Sequence, residues 1–376
     1  MKKILLSVLG LVLASCVVYA GDFSFVFNEK LFFDDNIYLT KNNKDSSLIS
    51  ATRLGVDFKS AIPQTTLDFN AGALLGYNYY FTDPSVNSCF DVLVNLGAKN
   101  ENLNVENTFR YTEDPAESAF TERVARINNL TKIYFQTARY NLLSFGVGLV
   151  NSLDNYLDSY YDEVLSRNRL NFIANIYYEV FPRTDIYFDY TGSYTQYTTN
   201  EENNSFGSSI GLGVKGELAS NMTANIKLCF DNRSYSNNRL FAGKESEETF
   251  GIFGYEALVK WEPLHNTSVV LSGHRRAEET QYELDRYYIS TLFALQLKQK
   301  FYDTVGGSLL FSYEGLSYDQ SERADNILKI RPAIEIETGN GAAVVIWYSY
   351  SDKTSDKSEV FEYSNNVIGA DFRIKF

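Results

Sequence analysis

Asn365-Asn366-Val367-Ile368-Gly369-Ala370-Asp371-Phe372-Arg373-Ile374-Lys375-Phe376 closes the chain. From Ile368 onward, Ile368, Ala370, Phe372, Ile374 and Phe376 alternate with Gly369, Asp371, Arg373 and Lys375. A period of two puts successive side chains on opposite faces, so this is a β-strand with one apolar and one polar side. One such strand also fits the edge of a soluble sheet. The remaining residues decide between the two.

The other end of the chain reads as an export signal, residues 1–20. Lys2 and Lys3 are followed by the apolar run Ile4 to Ala14, which is short for a membrane span. Val18-Tyr19-Ala20 offers small residues for cleavage between Ala20 and Gly21. Leu13-Ala14-Ser15-Cys16 resembles a lipoprotein cleavage box, and the alternative is lipidation at Cys16. Removing the signal takes the formal net charge from −13 to −15. No later apolar run is long enough for a transmembrane helix.

Residues 21–376 hold no Pro-, Gly- or Ser-rich linker and read as one domain. Aromatics make up 15% of the chain, with 28 Tyr and 27 Phe, against 6 Pro. The mean hydropathy of −0.24 suits strands with one face in water and the other in lipid. The alternation recurs throughout. Ile186, Phe188, Tyr190 and Tyr194 oppose Asp189, Thr191, Ser193 and Thr195. Ala224, Ile226, Leu228 and Phe230 oppose Asn225, Lys227, Cys229 and Asp231.

Short connections fall near 61–63, 100–102, 138–140, 182–184, 219–221, 263–266, 301–303 and 339–341, about forty residues apart. Longer polar ones lie between them: 41–46, 82–88, 113–121, 153–167, 198–203, 236–246, 278–283, 319–324 and 352–359. Eight short turns and nine loops predict 18 strands, with 16 as the alternative count. A propeller with this period needs four short strands per repeat, whereas each repeat here has two long ones. Because a hairpin cannot satisfy its own edge, the series must close on itself. The expected fold is therefore an all-β, transmembrane, antiparallel up-and-down barrel. The even strand number puts both termini on the periplasmic side.

Asp34-Asp35-Asn36-Ile37 ends the first strand, and nine hairpins follow with turns such as Phe181-Pro182-Arg183-Thr184-Asp185 and Phe301-Tyr302-Asp303-Thr304. With the aromatic terminus, these features resemble the putative β-barrel porin type 2 family of Gram-negative bacteria, over nearly the whole mature chain. The resemblance implies an integral outer-membrane barrel, in some cases associated with exopolysaccharide systems. It supplies no catalytic residues. The ending Phe372, Ile374, Phe376 also resembles the signal by which outer-membrane barrels are recognised for insertion. The partners implied are outer-membrane lipid, lipopolysaccharide, the barrel-assembly machinery and polysaccharide export components.

In a membrane barrel the polar face lines the lumen. The candidate lumen set is Glu106, Arg110, Arg169, Glu179, Asp189, Lys215, Glu217, Lys227, Asp231, Arg233, Lys329, Arg331, Glu335, Glu337, Asp371, Arg373 and Lys375. Nine are basic and eight acidic, so cross-strand pairing is expected along a nearly balanced wall. The loops are acidic: Glu113, Asp114 and Glu117; Glu201 and Glu202; Glu245, Glu247 and Glu248; Asp352, Asp356 and Glu359. A negative mouth predicts mild cation preference, with Arg169, Arg233, Lys329 and Arg331 the filter if anions are preferred instead. Leu153 to Arg167, the longest loop, is the candidate constriction.

Enzymatic chemistry has little support. His265 sits in a turn and His274 near a strand end, without an Asn-His-x-Ser arrangement. Cys89 and Cys229 lack metal-ligand spacing, and whether they pair stays open. No cofactor motif appears, and no basic face for nucleic acid. The expected function is a passive or weakly selective channel for small polar solutes. The alternative is a non-conducting structural or exopolysaccharide-export-associated barrel.

Overall fold

The computed structural model describes residues 21–376 except 63–65, 114–123, 200, 237–239, 242–243, 246–248, 281–284, 320 and 339–340. The leader, with its cleavage site and the Cys16 alternative, lies outside the described residues.

Eighteen strands follow one another: β1 (Asp22–Asp34), β2 (Ser47–Ile62), β3 (Leu67–Tyr80), β4 (Cys89–Lys99), β5 (Leu103–Thr112), β6 (Arg126–Gln136), β7 (Leu143–Tyr156), β8 (Arg167–Phe181), β9 (Thr184–Tyr197), β10 (Ser205–Ala219), β11 (Met222–Tyr235), β12 (Thr249–Leu264), β13 (Thr267–Glu279), β14 (Tyr287–Tyr302), β15 (Val305–Tyr318), β16 (Ala324–Thr338), β17 (Ala342–Ser355) and β18 (Tyr363–Lys375). Each pairs antiparallel with its predecessor and successor, and β18 returns to β1 from Val26↔Lys375 to Asp34↔Val367. The sheet has no free edge, which is the condition for crossing hydrocarbon with strands. Even Phe376 is held, exchanging backbone hydrogen bonds of 3.0 and 3.2 Å with Phe25.

Short turns gather at one rim and longer loops at the other. Where the chain turns tightest, residue choice is forced. Gly216, beside the register shift between Glu217 and Ala219, has φ +138°, and a Cβ there would lie 2.0 Å from the Arg183 carbonyl oxygen.

The loop rim of the β18–β1 seam carries a clasp. Asp35 accepts from the Asn366 backbone N–H and from its amide, both at 2.7 Å. Asn36, fully buried, donates to the carbonyls of Thr40 and Ser364 at 2.7 and 2.9 Å. Asp34-Asp35-Asn36-Ile37 thus ties the first strand to the last.

Contacts between strands that are not neighbours identify the inner face. Arg53 of β2 reaches Asp91 of β4 at 3.6 Å, and the hydroxyls of Tyr134 on β6 and Tyr177 on β8 are 2.9 Å apart. Arg169 of β8 and Tyr197 of β9 likewise reach Glu279 of β13, and strands that far apart can meet only through the interior. The other face carries the apolar set, with Leu212, Leu228 and Phe253 each more than 60% exposed. A water-soluble barrel would bury these side chains; a bilayer solvates them.

Two sequence expectations change. Leu153–Tyr156 belongs to β7, and the next stretch forms a short helix, α1 (Ser159–Leu165), whose Leu165 packs with Tyr156 and Val124. Tyr156 is an inward-facing residue of β7, so the helix packs on the inner side of its own hairpin. Asp352 is in β17, opposite Leu328, rather than in a loop. Asp114, Glu117, Glu247 and Glu248 lie outside the described residues, as does the Glu245 side chain.

Candidate functional site: the polar lumen

The ladder register puts the seventeen candidate residues on the inner face, alternating with the exposed apolar set. Many are paired across the wall. Asp371 is held by Lys30 at 3.1 Å, by Arg373 at 3.4 Å and by the Trp347 indole N–H at 2.8 Å. Arg110 lies 3.2 Å from Asp91, which Arg53 approaches from the other side. Lys227 bridges Asp189 and Glu256 at 3.2 and 3.3 Å. Asp189 also accepts from the Asn175 amide at 2.7 Å.

At the turn rim Glu179 pairs with Arg139 at 2.5 Å, Glu217 with Arg183 at 3.0 Å, and Lys375 with Asp57 at 3.7 Å. Other partners are not carboxylates. Lys215 sits 3.9 Å over the Tyr177 ring, Arg331 4.5 Å over Trp347, and Glu106 accepts from Asn104. Glu335 and Glu337 border a polar cavity of about 490 Å³ near the turn rim, shared with Lys298 and Lys300. Asp231 and Lys329 share the inner face as well.

A further cluster lies toward the loop rim and centres on a residue outside that set, Glu279. Its side chain is 1% exposed and contacts Arg233 of β11 at 2.7 Å and Arg169 of β8 at 3.4 Å. The Tyr197 hydroxyl of β9 donates to it at 3.3 Å. Arg167, at the head of β8, donates to the Thr280 carbonyl at 3.3 Å and to the Tyr197 hydroxyl. Three strands of one wall therefore grip one carboxylate from the other.

The ladder explains how Glu279 gets there. β12 and β13 stay paired only to Tyr255↔Arg275, whereas β13 and β14 continue to Glu279↔Tyr287. Freed from β12, the end of this hairpin leans inward. Ala277, Ile289 and Tyr287 then pack on Tyr235, Phe250 and Ile252, with the Phe250 and Tyr287 rings 3.8 Å apart. Sequence reasoning placed Glu279 in a loop. The one available signal was its odd position, shared with Val269 and Leu271, which breaks the alternation of β13.

His274 Nε2 is 3.0 Å from Ser290 Oγ, but that hydroxyl donates to Glu314 Oε1 at 2.5 Å. Serine stands between the acid and the imidazole, so its proton is committed to Glu314. His265 lies in the β12–β13 turn beside the polar cavity. Cys89 and Cys229 are both buried, and no disulfide joins them. Among the described residues, no group of three or more His, Cys, Asp or Glu is placed to hold a metal ion.

Comparison with known proteins supports the same architecture. A family model described as putative beta-barrel porin 2 matches residues 18–376. OpdK, an outer-membrane protein from Pseudomonas aeruginosa, matches with TM-score 0.52 and 8% identity, over 94% of this chain and 99% of its own. A BenF-like porin from Pseudomonas fluorescens gives 0.52, 11%, 95% and 99%, and OccAB3 from Acinetobacter baumannii 0.51, 10%, 95% and 99%. At these identities the likeness is one of fold. No curated protein matches the chain.

Proposed function

The chain belongs to the putative beta-barrel porin 2 family of outer-membrane barrels, and from that premise we propose that it is a passive, weakly selective channel for small polar solutes. One observation carries the reading. The inner wall carries charged and polar residues along its length, interspersed with apolar ones such as Leu292, Leu310 and Ile327, and toward the turn rim Arg373 and Lys375 are half exposed. A polar, wetted wall is what a hydrated solute needs, because it replaces lost hydration with hydrogen bonds and paired charges. Eighteen strands enclose a lumen wide enough for such a path. Glu279 and its arginines narrow the path near the loop rim.

In this proposal both termini face the periplasm, since β1 starts and β18 ends at the rim of short turns. Phe372, Ile374 and Phe376 present their apolar face to the assembly machinery and then to lipid, with lipopolysaccharide around the loop rim. The inner-wall residues serve permeation and wall stability rather than catalysis.

Single-channel recording in planar bilayers tests the proposal. Reproducible conductance steps from folded, heat-modifiable protein are the expected result. A correctly folded barrel that stays silent would overturn it and leave a non-conducting envelope component.

A further inference from the structure

At mid-strand the outer face of this barrel is apolar on most strands. Glu29 of β1 is one exception, satisfied within its own wall by Ser50 and Thr52, and β5, β6 and β7 are a wider one. Asn107, Asn129, Thr131 and Asn151 fall on that outer face, in register with one another through Asn107↔Thr131 and Thr131↔Asn151. They share it with Val105, Phe109, Ile133 and Leu149. Asn107 is midway between Leu103 and Tyr111, the outward residues nearest the two ends of β5, and so sits near the middle of the hydrocarbon layer.

The four side chains satisfy one another in part. The Asn107 amide donates to Asn129 Oδ1 and to Thr131 Oγ1, both at 2.8 Å, and the Thr131 hydroxyl donates to Asn129 Oδ1 at 3.4 Å. Asn151 donates to Asn168 Oδ1 at 2.7 Å. Two groups are left over. Among the described residues, Asn107 Oδ1 accepts no hydrogen bond and Asn129 Nδ2 donates none.

Acyl chains offer neither donors nor acceptors, and lipopolysaccharide keeps its sugars and phosphates at the rim. A polar group facing lipid at mid-depth is costly, and polar side chains there act as contacts between protein walls. The two leftover groups also complement each other: one carbonyl and one amide, side by side on one patch. Two copies related by a two-fold axis pair the carbonyl of each with the amide of the other, which is an isologous interface. We infer that the outer face of β5–β7, centred on Asn107, Asn129 and Thr131, is where a second copy of this chain docks within the membrane. The inference is independent of whether the barrel conducts.

The test uses the full mature chain in lipid nanodiscs and in detergent, with mass measured by light scattering. The wild-type barrel is expected to run as a dimer, and Asn107→Leu/Asn129→Leu/Thr131→Val as a monomer with unchanged heat-modifiable migration. Thr131→Ser, which keeps the hydroxyl, should stay dimeric. In a Cys89→Ala/Cys229→Ala background, Thr131→Cys should form a disulfide-linked dimer on oxidation, and Leu212→Cys on β10 should not. A wild-type protein that is monomeric at all concentrations, a triple variant that remains dimeric, or equal cross-linking at positions 131 and 212 would each overturn the inference. If the triple variant fails to fold, the paired cysteine variants still decide it.

Discussion

The clasp at the β18–β1 seam and the knot around Glu279 are both polar clusters near the loop rim, but they join different things. Asp35, Asn36, Ser364 and Asn366 link strands already paired in the ladder. Glu279, Arg169, Arg233 and Tyr197 link strands that the ladder keeps apart. Cutting the first weakens the closure of the wall. Cutting the second leaves the wall closed and, in a barrel that conducts as proposed, changes what can pass. The comparison separates residues that hold the barrel together from residues that shape its opening.

Breaking the clasp should have the largest effect on stability. In Asp35→Ala/Asn36→Ala, buried carbonyls and an amide lose their partners, at a total cost of about 3 kcal/mol. The heat-modifiable transition on gels should move to clearly lower temperature, while conductance of the surviving folded protein stays the same. An unchanged transition would mean that the ladder alone closes the seam.

Breaking the knot should act on permeation first. Glu279→Gln keeps the shape but leaves Arg169 and Arg233 without their carboxylate, so the pore becomes more positive where it is narrow. Reversal potentials under a salt gradient should shift toward anions by several-fold in permeability ratio, and less so at high salt as screening grows. The thermal transition should move less than in the clasp variant. A shift in stability without a shift in selectivity would reassign Glu279 to the wall.

A smaller effect is expected lower on the seam. Glu29 of β1 faces outward like Leu31 and Phe27, and its carboxylate accepts from Ser50 at 2.7 Å and Thr52 at 2.5 Å. Ser50→Ala/Thr52→Val strips these donors from a carboxylate on the lipid side and should cost about 1–3 kcal/mol. Adding Glu29→Leu to that pair should restore most of the loss, a double-mutant pattern readable by denaturant titration.

The smallest effect concerns the exposed charges above the clasp. Lys41 contacts Glu362 at 2.6 Å and Glu359 at 2.9 Å. The hydrogen bond from Lys41, and then that from the Ser355 N–H, hold the Glu362 carboxyl below its ordinary value. Hydrogen bonds to Glu362 and Glu359 raise Lys41. A lowered carboxylate stabilises the fold above its unfolded pKa and loses that contribution as pH falls through the folded one. A raised ammonium does so below its unfolded pKa and loses it as pH climbs through the folded one. The contribution is thus level at neutral pH and fades at both extremes. Lys41→Met should flatten the acid limb of a plot of transition temperature against pH, slightly, since Lys41 is exposed and Glu362 only partly covered. Identical limbs would remove this pair from the account of the seam.

Strand number, alternation, the grouping of short turns and longer loops, and the two faces were legible in the sequence. Ile368 to Phe376, the forty-residue spacing of turns and the charged inner positions each follow from a local rule. A side chain in a strand points one way or the other, and its neighbours in sequence announce which. The sequence could also show that Asp35 and Asn36 end a strand, but not that Asn366 waits for them 331 positions away. It placed Glu279 in a loop, and Leu153–Tyr156 outside the strand that holds them. Only the closed sheet decides which non-neighbouring strands face each other. Only the early end of the β12–β13 ladder turns the β13–β14 hairpin into the lumen. Alternation is a property of single strands, whereas the width of the opening depends on where strand pairing stops, and that is settled by packing between residues far apart in the chain.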